Sequence, residues 1–217
     1  MRALRSKNID ALAAILDDDV EVVEVLDAVP EAAAGFVADL IEKQRLATPY
    51  EASCAVPRQA AGEASSSAGA MADRAGVPLG AALGVFADID GHGAFVAWLA
   101  TLTNTFAALN GARRVGIRIS HLRGPMCPRF HVDHVPSRVL VPLAGPGTEW
   151  IPDAAVRTEA DGRIAQDPPA AAVQQLATGS IGLFKGAAFG DGDVRGVAHR
   201  SPPGDADRVL MTLDAIA

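Results

Sequence analysis

The feature that most constrains this chain is a change of hydrophobic period at Gly111. In "DGHGAFVAWLATLTNTFAALNG" the residues Phe95, Trp98, Leu99, Leu102, Phe106 and Leu109 form one helical stripe. Asn110-Gly111 ends it, because glycine tolerates the left-handed conformation that closes a helix. Beyond this point the chain reads "RRVGIRIS", "RFHVD", "SRVLVPLAG", "TEWI", "SIGLFKG", "VRGVAH" and "DRVLMTLD", short runs punctuated by Gly, Pro and Asp. Many short strands with almost no helical pattern between them predict an antiparallel sandwich or barrel. The expected class is α+β, with a mainly helical part over 1–111 and a β-barrel over 112–217 joined in one compact unit.

The first part offers two more helical stripes. Ile9, Leu12, Ile15 and Leu16 form one, and Phe36, Val37, Leu40 and Ile41 form another after Pro30. Between them and the long helix, residues near 50–80 are rich in Ala, Ser, Gly and Pro and are expected to be an irregular connection.

Charge and cysteine usage narrow the function classes. The 217 residues carry 19 Lys and Arg against 26 Asp and Glu, a net −7, which disfavours nucleic acid and anionic membranes as partners. No apolar run approaches the roughly 18 residues of a membrane span, and Asp10 and Asp17 to Asp19 interrupt the N-terminal segment before it resembles a targeting signal. Cys54 and Cys127 stand in dissimilar contexts and make no disulfide framework, so a reducing cytoplasm is expected. The expected substrate is a small molecule or a protein; neither it nor the oligomeric state follows from sequence.

Chemistry concentrates in "CPRFHVDHVP", residues 127–136. In a strand, His131 and Asp133 share a face and can converge on one ion. A third ligand must come from elsewhere, and His92, His121 and His199 are the candidates. His131, Asp133 and His199 together form the two-His-one-carboxylate pattern that leaves open positions on Fe(II). Cys127 is a possible fourth, softer ligand, which would favour zinc, or else a small buried thiol. His134 falls on the opposite face and is expected at the surface. Arg138 is a candidate anion anchor for a cofactor. Arg118, Glu149 and Trp150 are candidates for a substrate pocket; a surface arginine, a salt-bridged Glu and a core Trp are the plainer readings.

The order of these segments resembles the double-stranded β-helix (a jelly-roll or cupin-like barrel) of Fe(II)/2-oxoglutarate oxygenases, particularly the prolyl-hydroxylase-like branch. In that pattern a His-x-Asp strand, a "GGE" turn, a distal His and an Arg about nine residues later follow one another. Here Gly147-Thr148-Glu149 stands where the turn would fall, and Arg208 is nine residues after His199. The resemblance covers roughly 115–214. It implies that His131, Asp133 and His199 hold iron and that Arg208 pairs with the distal carboxylate of 2-oxoglutarate. Lys185 is a second candidate for that carboxylate, since some members of the class use lysine. Across most of the chain, "CPRFHVD", "GPGTEW", "LFKG", "HRSPP" and "LMTLD" also resemble the bacterial domain-of-unknown-function family 1826, which brings no activity with it. The expected function is an Fe(II)/2-oxoglutarate-type oxygenase of unknown substrate. The alternatives are a non-redox zinc-binding barrel and an inactive barrel that binds a small carboxylate or a partner.

Overall fold

Alternation in the C-terminal strands dictates how the molecule is layered. The structure, a computed structural model, describes residues 1–56, 78–190 and 194–216. Its strands are β1 (Arg2–Ser6), β2 (Val20–Val25), β3 (Tyr50–Ala55), β4 (Arg114–Leu122), β5 (Ser137–Ala144), β6 (Glu149–Ile151), β7 (Gln174–Gln175), β8 (Ile181–Lys185), β9 (Ala198–Arg200) and β10 (Arg208–Ile216). The helices α1 (Glu31–Glu42) and α2 (His92–Asn110) and a 3-10 helix over Ile9–Leu16 lie among them.

Seven strands form one sheet in the order β1-β2-β8-β5-β10-β4-β3, and β7-β6-β9 form a second. Every pairing is antiparallel except β1 with β2. On one face of the large sheet, Val115, Ile117 and Ile119 of β4 join Val209, Met211 and Leu213 of β10. Val139 and Val141 of β5 and Ile181 and Leu183 of β8 complete this face, which packs against Phe36, Leu40, Phe95, Leu99 and Phe106 from the helices. The intervening residues point the other way. Leu140, Phe184 and Leu210 meet Trp150 of β6, and Leu176 and Val197 next to β7 and β9, in a second, smaller core. This is a mixed α+β molecule with a large, mostly antiparallel sheet.

α2 ends at Gly111 with φ 59°, as its sequence predicts, and the Ser137 hydroxyl donates to the Asn110 side chain at 2.8 Å, tying the helix end to β5. The expected helices over 31–42 and 92–110 are present, and the 9–16 segment is helical in 3-10 form.

The expectation of a mainly helical part over 1–111 is corrected. β1, β2 and β3 all belong to the large sheet, so its edges come from the first 55 residues and no boundary falls at Gly111. β2, "VEVVEV", is buried along its length and pairs with β8 about 160 residues away, which hides its identity from local patterning. β3 occupies the beginning of the stretch expected to be irregular; residues 57–77 of that stretch lie outside the described residues. Among the described residues no helix is long and apolar enough to cross a membrane.

Candidate metal centre and anion cleft

His199 sits in the middle of β9, opposite Trp150 of β6. His131 is not part of a regular strand. It forms a single bridge to His199, with backbone N–H···O bonds of 3.0 and 2.9 Å in the two directions. That bridge places the imidazoles 4.6 Å apart between centroids. Asp133, two residues on, turns its carboxylate toward both rings: Oδ2 is 3.2 Å from His199 Nε2, and Oδ1 is 3.7 Å from His131 Nε2. The three residues offer ligand atoms that all lie within 4.8 Å of one another. The same-face pairing of His131 and Asp133 is thus achieved, although by an irregular segment rather than a strand.

The outer ring nitrogens explain the orientation. His131 Nδ1 lies 3.0 Å from the Arg129 carbonyl, and His199 Nδ1 lies 2.9 Å from the Val197 carbonyl. A carbonyl can only accept, so each Nδ1 carries a proton and each ring turns its Nε2 toward Asp133. Two imidazole Nε2 atoms and a carboxylate thus face one another, a set of groups that could hold a metal ion. Backbone carbonyls holding the far nitrogen of each histidine are also how metal-bound imidazoles are oriented. Burial acts to raise the Asp133 pKa, but the His199 hydrogen bond and the charges of His199, Arg138 and His131 outweigh it and hold the carboxyl at about 2. The donor set is two nitrogens and one oxygen, which fits a divalent first-row metal.

The histidines open onto a cleft of about 60 Å³ whose walls include Cys127, Leu140, Thr148, Ser201, Arg208, Leu210 and Thr212. Arg208 is only 3% exposed. One of its nitrogens, Nη2, donates to the Ser201 hydroxyl at 2.8 Å, while Nε and Nη1 are buried without a partner. Burial also lowers its pKa from the usual value. Among the described residues no carboxylate faces this guanidinium, a costly state for a buried charge unless an anion enters the cleft. Ser201 Oγ accepts from Arg208 and from the Cys127 N–H at 3.0 Å, which leaves its own proton free to donate. Gly145, with φ 71°, permits the close approach of β5 to β10 here, since a Cβ would overlap the Asp207 carbonyl oxygen and crowd Arg208.

The other candidates separate clearly. Arg138 lines the cleft but is already held: Nη1 donates to Asp133 Oδ2 at 2.7 Å, and Nε and Nη2 donate to Asp214 at 2.6 and 3.0 Å. Its assignment as a cofactor anchor is therefore corrected. Lys185 is corrected too. It shares the parity of Ile181 and Leu183, which face the helices, and its ammonium donates to the Asp17 carbonyl at 2.7 Å while resting over the Phe189 ring. Trp150 is a core residue packed on Phe184, which in turn meets the His199 ring edge-on at 5.7 Å. Glu149 pairs with Arg200 at 2.8 Å and borders a different surface cleft with Gln166 and Asp167. Neither forms a wall of the metal cleft. Arg118 is on the same sheet face as Thr212 but bonds Ser120 and lies 3.5 Å from Glu51, outside the cleft.

Cys127 reaches the cleft wall, not the ligand cluster. His92 bonds the Leu83 carbonyl, His121 lies beside Asp207, and His134 is exposed, so none joins the site. Ser201 and the tethering role of Asp214 escaped the sequence reading. Period-two alternation from Arg208 puts Asp214 on the site face, but its partner Arg138 is 76 residues away.

The fold is shared with enzymes of known class. A prolyl-4-hydroxylase from Pseudomonas putida matches with a TM-score of 0.51 at 14% identity, covering 97% of this chain and 96% of its own. The dioxygenase for auxin oxidation 1 of Arabidopsis thaliana, in its 2-oxoglutarate complex, matches with a TM-score of 0.54 at 9% identity, covering 100% of this chain and 92% of its own. At these identities the likeness is one of fold. No curated protein matches the sequence. The profile of the family "Protein of unknown function (DUF1826)" matches residues 6–214, and the chain belongs to that family.

Proposed function

We propose that this protein is an Fe(II)- and 2-oxoglutarate-dependent oxygenase built on a double-stranded β-helix. The observation that carries the proposal is the buried Arg208, with two N–H-bearing nitrogens unpartnered, in the same cleft as the His131, Asp133 and His199 cluster. A dicarboxylate held at one end by a guanidinium and at the other by a metal satisfies both halves of the cleft at once. Iron and the keto acid together supply oxygen activation, in which the keto acid loses carbon dioxide to become succinate while a substrate is oxidised.

The chain's own residues would prepare that chemistry. His131, His199 and Asp133 would hold the ion from one side and leave the cleft side open. Arg208 would bind the distal carboxylate, with the free Ser201 proton as an additional donor. Leu140 and Leu210 would cover the methylenes between the two charged ends and exclude water from them. The alternative of a zinc site drew support from Cys127 as a sulfur ligand, and that support falls away with Cys127 outside the ligand cluster.

The test is anaerobic addition of Fe(II) and 2-oxoglutarate to chelator-stripped protein, followed by oxygen. A weak visible charge-transfer band and succinate formation are expected, with His199→Ala abolishing metal binding. A protein that purifies with zinc, gives no band and forms no succinate is not such an oxygenase. Full metal occupancy in His199→Ala would remove the triad itself.

A further inference from the structure

Each histidine of the cluster is fixed by a backbone carbonyl, but the Asp133 carboxylate is fixed by a side chain, and that side chain is fixed in turn. Asp214 faces Arg138 directly across the β5–β10 pairing. It takes two of the guanidinium nitrogens, Nε and Nη2, which sets the plane of the fork. Nη1 remains and is aimed at Asp133 Oδ2, 2.7 Å away. Arg138 and Asp214 are both partly buried, at 26% and 32% side-chain exposure. Their charges cancel, so the pair can grip Asp133 without placing a net positive charge beside an incoming cation.

We infer that Arg138 is a positioning residue that restricts Asp133 to one coordinating oxygen, and that Asp214 is the counter-charge that makes this compatible with binding a divalent cation. The inference rests on the metal reading of the triad. An oxygen already engaged by a short charge-assisted hydrogen bond is a poor second donor to a metal, so Asp133 presents Oδ1 and stays monodentate. Without the clamp, the carboxylate is free to rotate, and it can chelate the ion through both oxygens. With the clamp but without Asp214, the guanidinium charge opposes the ion directly.

Metal binding without turnover tests this. Co(II) serves as the probe, because its visible spectrum reports coordination number and its affinity is measured by titration of chelator-stripped protein. Arg138→Gln should weaken Co(II) binding about 10- to 100-fold and alter the visible spectrum of the bound ion. Arg138→Lys, which keeps the charge but loses the fork, should recover part of the affinity and not the spectrum. Asp214→Asn touches no ligand, yet it should weaken binding by roughly tenfold, and adding it to Arg138→Gln should cost nothing more, since its effect passes through Arg138.

Unchanged affinity and spectrum in Arg138→Gln would overturn the inference, as would an Asp214→Asn effect that simply adds to it. Thermal unfolding in chelator shows whether each variant is folded. Should Arg138→Gln fail to fold, Asp214→Asn binding Co(II) as tightly as the wild type is sufficient to overturn the inference. A wild-type protein that binds no Co(II) removes the triad and the clamp together, whereas a binding wild type with an indifferent Arg138→Gln removes only the clamp.

Discussion

The two faces of β10 belong to the same nine residues and have opposite chemistry. Toward the helices, Val209, Met211 and Leu213 are almost fully buried among other apolar side chains. Toward the smaller sheet come Arg208, Leu210, Thr212 and Asp214, in which one apolar residue stands among three polar ones. One face obeys the rule that interiors are close-packed and apolar. The other violates it with a buried arginine that meets no anion among the described residues. Places where a sequence breaks the packing rules without internal compensation are where function is expected. The comparison therefore assigns the helix face to stability and the cleft face to binding, and it can be broken from either side.

The largest effect is expected on the helix face. Leu213→Ala, at a fully buried position, should cost about 2–5 kcal/mol of stability, read as a lower midpoint in urea with chelator present. A loss under ~1 kcal/mol would mean that this face is not a packed core. Arg208→Met should do the reverse. Removing an unpaired buried charge should leave the metal-free protein unchanged or more stable by roughly 1–3 kcal/mol. The same substitution should weaken 2-oxoglutarate binding by at least about a hundredfold in calorimetric titration. A destabilised Arg208→Met variant with normal keto-acid affinity would make Arg208 a structural residue. The smallest effect belongs to Cys127→Ala on the cleft wall, for which metal affinity should be unaltered and stability should change by no more than roughly 1 kcal/mol. Loss of the ion in that variant would bring the sulfur back into the ligand set.

What could be read from the sequence follows a physical divide. The proximity of His131, Asp133 and His199 was legible from order along the chain and residue identity: the three cluster, and both histidines line a cleft with Arg208. α2 was legible from its long periodic stripe and its glycine stop. The orientation of Lys185 required strand parity in "IGLFK", where Phe184 and not Lys185 takes the site face. The fate of Arg138 depended on Asp214, a partner supplied by tertiary pairing. β1 and β2 were missed because their partners are remote or parallel, and because β2 is buried on both faces and lacks the simple alternation of a half-exposed strand.

The most direct measurement is a crystal structure of the protein grown anaerobically with Fe(II) and 2-oxoglutarate, with anomalous data collected at the iron edge. An iron peak among His131 Nε2, His199 Nε2 and one oxygen of Asp133, with the keto acid's distal carboxylate on Arg208, is the expected result. An ion bound elsewhere, or a cleft in which Arg208 still faces no anion at saturating 2-oxoglutarate, would contradict the assignment of this cleft to oxygenase chemistry.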